Sequence, residues 1–189
     1  MTEGVAMTLL TVWPDDQPGH VLLRTEDTAT IVAELGRSGA GFSRWPTADL
    51  EPGAAEAEVL ARYRERIDAR ITGAGYHAVE VLSGEPGLAE RTSNGDEDRF
   101  FVHGSAVWYL HTGKKVLAVL CEPGDLLTIP AHTRHWHDGG LRPEHVTIRV
   151  RHPAAAAAAS PPEPVVTTDF PDFDTLVAER SSAWPALSR

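Results

Sequence analysis

Between Phe100 and Pro153 the chain is cut into short β-forming segments by turn signals at close, regular spacing. "RFFVHG", the run "AVWYLHTGKKVLAVLCEPGDLLTIP", "HWHDGG" and "HVTIRVRHP" are divided by groups such as His111-Thr112-Gly113-Lys114 and Glu122-Pro123-Gly124-Asp125. Many short strands separated in this way point to an antiparallel sandwich or barrel. This stretch therefore sets the fold class, and the rest of the chain must pack around it.

Upstream, "MTLLTVWP" reads as a strand stopped by Pro14, and "GFSRWP" and "YHAVEVL" as two more. "DTATIVAELGRSG" predicts a short helix capped by Asp27, with Ile31, Val32 and Leu35 on one face and Gly36 or Gly39 at its end. "AAEAEVLARYRERIDARITGAG" predicts the longest helix, with Val59, Leu60, Tyr63, Ile67 and Ile71 at helical spacing and Gly73 and Gly75 ending it. From Ala154 six alanines and "SPPEP" read as a linker, followed by a last short helix in "FPDFDTLVAERSSAW". The expected division is a domain over residues 1–153 and a tail over 154–189.

The 189 residues suffice for one compact domain with a real core. A net charge of −10 disfavours binding to nucleic acid or to anionic membrane, both polyanions. No stretch approaches the roughly 18 apolar residues of a membrane span, and the N-terminus shows no signal peptide. A single cysteine, Cys121, excludes an intrachain disulfide and fits a reducing compartment, so a cytoplasmic protein is expected.

"EDRFFVHG" and "PGDLLTIPAHTRHW" together resemble the acireductone dioxygenases, a family of the cupin superfamily. Glu97, Arg99, Phe100, Phe101, Val102 and Gly104 match the family's Glu-x-Arg-Phe-Phe-Val-x-Gly stretch. Pro123 to Trp136 match the second cupin motif. The resemblance implies a mainly β protein: a cupin jelly-roll barrel with a few N-terminal helices packed against it. It also implies a metal site for Fe or Ni, held by a His-x-His-x-x-x-Glu segment and one later histidine. Glu97 and His135 stand at two of those four positions, but Arg91 and Ser93 occupy the other two.

A guanidinium offers charge and no lone pair, so the family's own four-ligand site cannot form from these residues. His135 and His137 stand two apart and would share a strand face. Glu97, His135 and His137 are therefore the candidate catalytic residues, with Arg99, Arg91, Phe101, Ser93 and His132 as candidate substrate-binding groups. Burial is expected to raise the Glu97 pKa towards that of histidine, giving an acid–base pair, while Arg99 binds an anion.

The leading expectation is metal-independent acid–base chemistry of isomerase, cyclase, dehydratase or decarboxylase type, on a small polar or enolisable molecule with no cofactor. The alternatives are a dioxygenase using Fe(II), Ni(II) or another divalent metal on relocated ligands Glu97, His135 and His137, and a non-catalytic cupin that binds a small ligand. A monomer or homodimer is expected, without nucleic-acid or membrane partners.

Overall fold

The computed structural model describes residues 7–71, 78–85, 87–156 and 161–181. Two antiparallel sheets face each other. The first orders its strands as β2 (Leu23–Thr25), β1 (Leu9–Pro14), β7 (Lys115–Cys121), β6 (Ala106–Thr112) and β9 (Arg134–Asp138). The second runs β3 (Gly41–Arg44), β8 (Asp125–Ile129), β5 (Gly95–His103), β10 (Val146–Ala154) and β4 (Ala78–Ser83). This is the jelly roll that the strand spacing and the resemblance imply. Among the described residues no helix is long and apolar enough to cross a membrane.

Alternation along each strand decides what lies between the sheets. Leu10, Val12, Trp108, Leu110, Leu117, Val119 and Cys121 of the first sheet meet Phe42, Phe101, Leu127 and Ile129 of the second. Helix α1 (Thr28–Arg37) adds Ile31 and Leu35, both fully buried, to the same cluster. Each such side chain contributes about 1.5–3 kcal/mol on burial. The Asp27 side chain accepts the Thr30 N–H at 2.8 Å and caps that helix as expected. Cys121 is a buried, uncombined thiol.

Both outer sheet faces are also covered. Over the second sheet the chain forms two helices, α2 (Glu56–Arg62) and α3 (Arg64–Ile71), where the sequence suggests one. The break falls at Tyr63. Its ring is buried 4.8 Å from Phe100 and its hydroxyl accepts the Ala48 N–H at 2.7 Å, so packing overrides helical continuity. The expected glycine stop at Gly73 and Gly75 lies outside the described residues. Outward-facing Asp98 fastens α3 to the sheet: Arg70 donates to it twice, at 2.7 and 2.9 Å. Over the first sheet, Phe170 and Leu176 pack against Trp13 and Trp136, and Leu176 belongs to the last helix, α4 (Phe173–Ser181). Tyr109 donates its hydroxyl to Pro171 O at 2.6 Å and Asp138 accepts the Phe173 N–H at 2.9 Å.

Candidate functional site

One part of the barrel interior is polar, and three strands supply it. On β5 the inward residues are Glu97, Arg99 and Phe101, because Asp98 and Phe100 face the helices. On β9 the inward residues are His135 and His137, because Trp136 belongs to the outer cluster. On β10, Thr147, Arg149 and Arg151 stand opposite Phe101, Arg99 and Glu97 and share their face. The segment 87–93 runs along β9 as a further partial strand: Arg91 and His135 exchange both backbone hydrogen bonds, at 2.8 and 2.9 Å.

Arg99 is the hub. It is fully buried, lies over the Trp108 ring at 5.1 Å, donates Nε to Glu97 Oε1 at 2.6 Å and Nη1 to Thr147 Oγ1 at 3.2 Å. Nη1 also donates to the Glu85 carboxylate. Burial works to raise the Glu97 carboxyl, but Arg99 beside it holds it below the ordinary value. The expectation of a raised Glu97 pKa is therefore corrected: the adjacent guanidinium outweighs desolvation, and Glu97 is a poor proton donor near neutrality.

Arg91 points inward. Its Nε faces His135 Nε2 at 3.3 Å, so that nitrogen is the acceptor, and His135 Nδ1 donates to Thr133 O at 2.9 Å. Burial holds His135 below its usual pKa, and pushes His137 down to about 4. Both are neutral imidazoles at pH 7. His137 stacks on Trp108 with ring centres 4.3 Å apart and gives Nε2 to Glu85 O at 2.9 Å, leaving its buried Nδ1 without a partner.

The remaining candidates divide. Phe101 packs edge-on against Trp108 within the apolar core. Ser93 is half-buried, and its carbonyl accepts the His132 N–H at 2.7 Å. His132 adopts a left-handed backbone conformation, φ 63°, and its ring bonds Ala155 O at 3.0 Å, which carries it away from the polar interior.

Sequence reasoning missed Glu85, Arg149 and His145. Arg149, which binds Glu80 at 2.9 Å, is found by alternation once β10 is registered against β5. His145 is buried, edge-on to Trp108, with both ring nitrogens unpartnered. No spacing signal marks His145 or Glu85, because both lie in irregular segments.

Two facing antiparallel sheets in a jelly roll, with charged side chains between them, are the architecture of the cupin fold. Residues 85–154 match the ARD/ARD' family. The chain is 40% identical over 190 residues to "Acireductone dioxygenase" of Saccharopolyspora erythraea, covering 92% of this chain and all of that protein. It is 39% identical over 194 residues to the protein of the same name from Frankia alni, covering 94% of each. The chain belongs to the acireductone dioxygenase family.

Among solved structures, "Acireductone dioxygenase from Bacillus anthracis with cadmium ion in active center" superposes with a TM-score of 0.62 at 21% identity, over 81% of this chain and 96% of that one. That likeness supports the fold. The expectation of metal-independent isomerase or lyase chemistry is overturned by these relatives, which are named dioxygenases and are matched over all and over 94% of their lengths. The expectation of no cofactor loses its support with it.

Proposed function

We propose that the chain acts as a dioxygenase on a small enediolate of the acireductone type, a planar molecule carrying oxygens on neighbouring carbons. The observation that carries this reading is the identity of about two residues in five with the Saccharopolyspora protein along its whole length. The charges of the polar interior agree with it. Arg91, Arg99, Arg149 and Arg151 set four guanidiniums against the three carboxylates Glu80, Glu85 and Glu97, with neutral imidazoles between them. The excess is positive and suits an anion.

A divalent metal would supply the means of activating dioxygen, and the residues fit one only in part. His135 has the arrangement of a metal-binding histidine, with Nδ1 fixed on a carbonyl and the Nε2 lone pair turned inward. Nevertheless, that lone pair faces Arg91, Glu97 is held by Arg99, and His137 turns Nε2 to a backbone carbonyl. Among the described residues no three His, Cys, Asp or Glu side chains surround one point. The relocated set Glu97, His135 and His137 is not assembled as a metal centre in this arrangement.

What the chain's own residues do is bind and orient. Arg99 and Arg91 offer donors to the substrate's oxygens, and the Trp108 ring covers Arg99 and His137 from one side. The contact of Arg91 with His135 favours a second reading, a pocket that holds the enediolate without oxidising it.

Oxygen uptake on an acireductone substrate, with protein loaded with Fe(II) or Ni(II), separates the two. Metal-dependent uptake is expected. Substrate binding without uptake at any loading refutes the dioxygenase reading and leaves the second.

A further inference from the structure

Three guanidinium nitrogens in the polar interior are buried and have no acceptor, Nη2 of Arg91, Nη2 of Arg99 and Nε of Arg151, and the first two also lie beside the neutral imidazoles. A buried unmade hydrogen bond costs about 1–3 kcal/mol, more at a charged group, so those on Arg91 and Arg99, two guanidiniums close enough to repel each other, mark a place where acceptors belong. Arg99 is fully buried, and its other donors are engaged by Glu97, Thr147 and Glu85. Arg91 makes no ion pair with any described carboxylate, and its one side-chain hydrogen bond goes to the neutral His135. Its charge is thus uncompensated by direct contact in a half-buried position, where burial already pulls its pKa down.

Glu85 is the third element. Its carboxylate sits on Arg99 Nη1 and lies 3.9 Å from His137 Nε2, while its own backbone carbonyl is tied to that same imidazole. The backbone at Glu85 is therefore fixed, whereas the side chain, 20% exposed, stands between the buried guanidinium and solvent. A rotation of that side chain frees Arg99 Nη1 for another acceptor. Because a ligand carboxylate or enolate offers Arg99 the same contact, Glu85 and the ligand compete for one guanidinium.

We propose that Arg91 and Arg99 form a two-guanidinium site for a small planar oxyanion with oxygens on adjacent carbons, and that the Glu85 carboxylate is its resting, displaceable occupant. This deepens the proposed function, on which its choice of ligand class rests, by naming the groups that hold the ligand and the residue that competes with it. Arg91 stands at one of the positions from which the resembling family draws a histidine. Here the same backbone position presents a donor to an anion instead of a lone pair to a cation.

Oxalate, planar and bearing oxygens on adjacent carbons, is the probe, titrated calorimetrically into the full chain with EDTA present so that no metal contributes. Glu85→Gln removes the competing charge and is expected to tighten oxalate binding about tenfold. Arg91→Gln, at a half-exposed position with no ion pair to break, is expected to weaken binding at least tenfold while the melting temperature holds. Equal or weaker binding in Glu85→Gln overturns the role of Glu85. Undiminished binding in Arg91→Gln overturns the site. Neither result involves dioxygen or turnover, so a failure here is distinct from a failure of oxygen uptake.

Discussion

Restoring histidines at positions 91 and 93 tests whether Arg91 is what keeps a cation out. Arg91 and His135 are directly opposed residues that exchange both backbone hydrogen bonds, so their side chains rise side by side on one face. An imidazole at 91 would stand beside that of His135, and one at 93, two residues on, would face the same way. The larger effect is electrostatic. A dication placed about 4 Å from the Arg91 guanidinium, at an effective dielectric of about 20, meets a repulsion of about 8 kcal/mol. Solvent reaches this half-buried group, so a third of that is a safer figure. About 3 kcal/mol still amounts to roughly a hundredfold in affinity. The double variant Arg91→His/Ser93→His is expected to bind Ni(II) or Co(II) at least about a hundredfold more tightly than the natural chain, by competition with a chromophoric chelator. Arg91→Ala alone should recover the electrostatic part. Equal affinities in all three proteins would refute the reasoning, because the guanidinium would then not govern access to Glu97 and His135.

The pH dependence of stability follows from three buried imidazoles. His135, His137 and His145 are all held below their ordinary pKa by burial, so the unfolded chain binds protons near pH 6.5 that the fold refuses. Their contribution is complete above about pH 6.5 and is lost as pH falls towards the folded values, near 4 for His137. His137 alone accounts for about 2 kcal/mol between pH 7.5 and 5, seen as a lower urea midpoint, and an unchanged midpoint would contradict its neutral burial. Gly87→Ala places a Cβ 1.9 Å from the His137 ring, which stacking on Trp108 prevents from retreating. A loss of about 1–3 kcal/mol in chemical unfolding is expected, and wild-type stability would refute that packing.

The legible part of the fold was the part governed by period and punctuation. Turn residues such as Pro123-Gly124 and alternation in "KVLAVLC" fix strands whose pairing the jelly roll then completes. The inward direction of Glu97, Arg99, His135 and His137 was equally legible, since i and i+2 on a strand share a face. Three features were not. The helix break at Tyr63 depends on a tertiary contact with Phe100 that no local pattern records. The sign of the Glu97 pKa shift depends on Arg99 Nε lying within hydrogen-bond distance, which alternation implies only as proximity. Glu85 reaches Arg99 from a connecting segment, where side-chain direction has no period to reveal it.

Arg91 and Ser93 stand where the family resemblance implies histidines, and a buried carboxylate needs positive charge beside it more than it needs any particular source of that charge. Glu97 is 3% exposed and would be costly to keep ionised alone. Arg99 answers it directly at 2.6 Å, but Arg99 also answers Glu85, so one guanidinium serves two carboxylates. A bound dication would settle that balance in a metal-holding site of this kind, and here Arg91 and Arg149 contribute to it through space. Glu97 is consequently kept ionised by guanidiniums alone. Position 91 decides what else that charge can hold, because a guanidinium there offers donors where an imidazole would offer a lone pair.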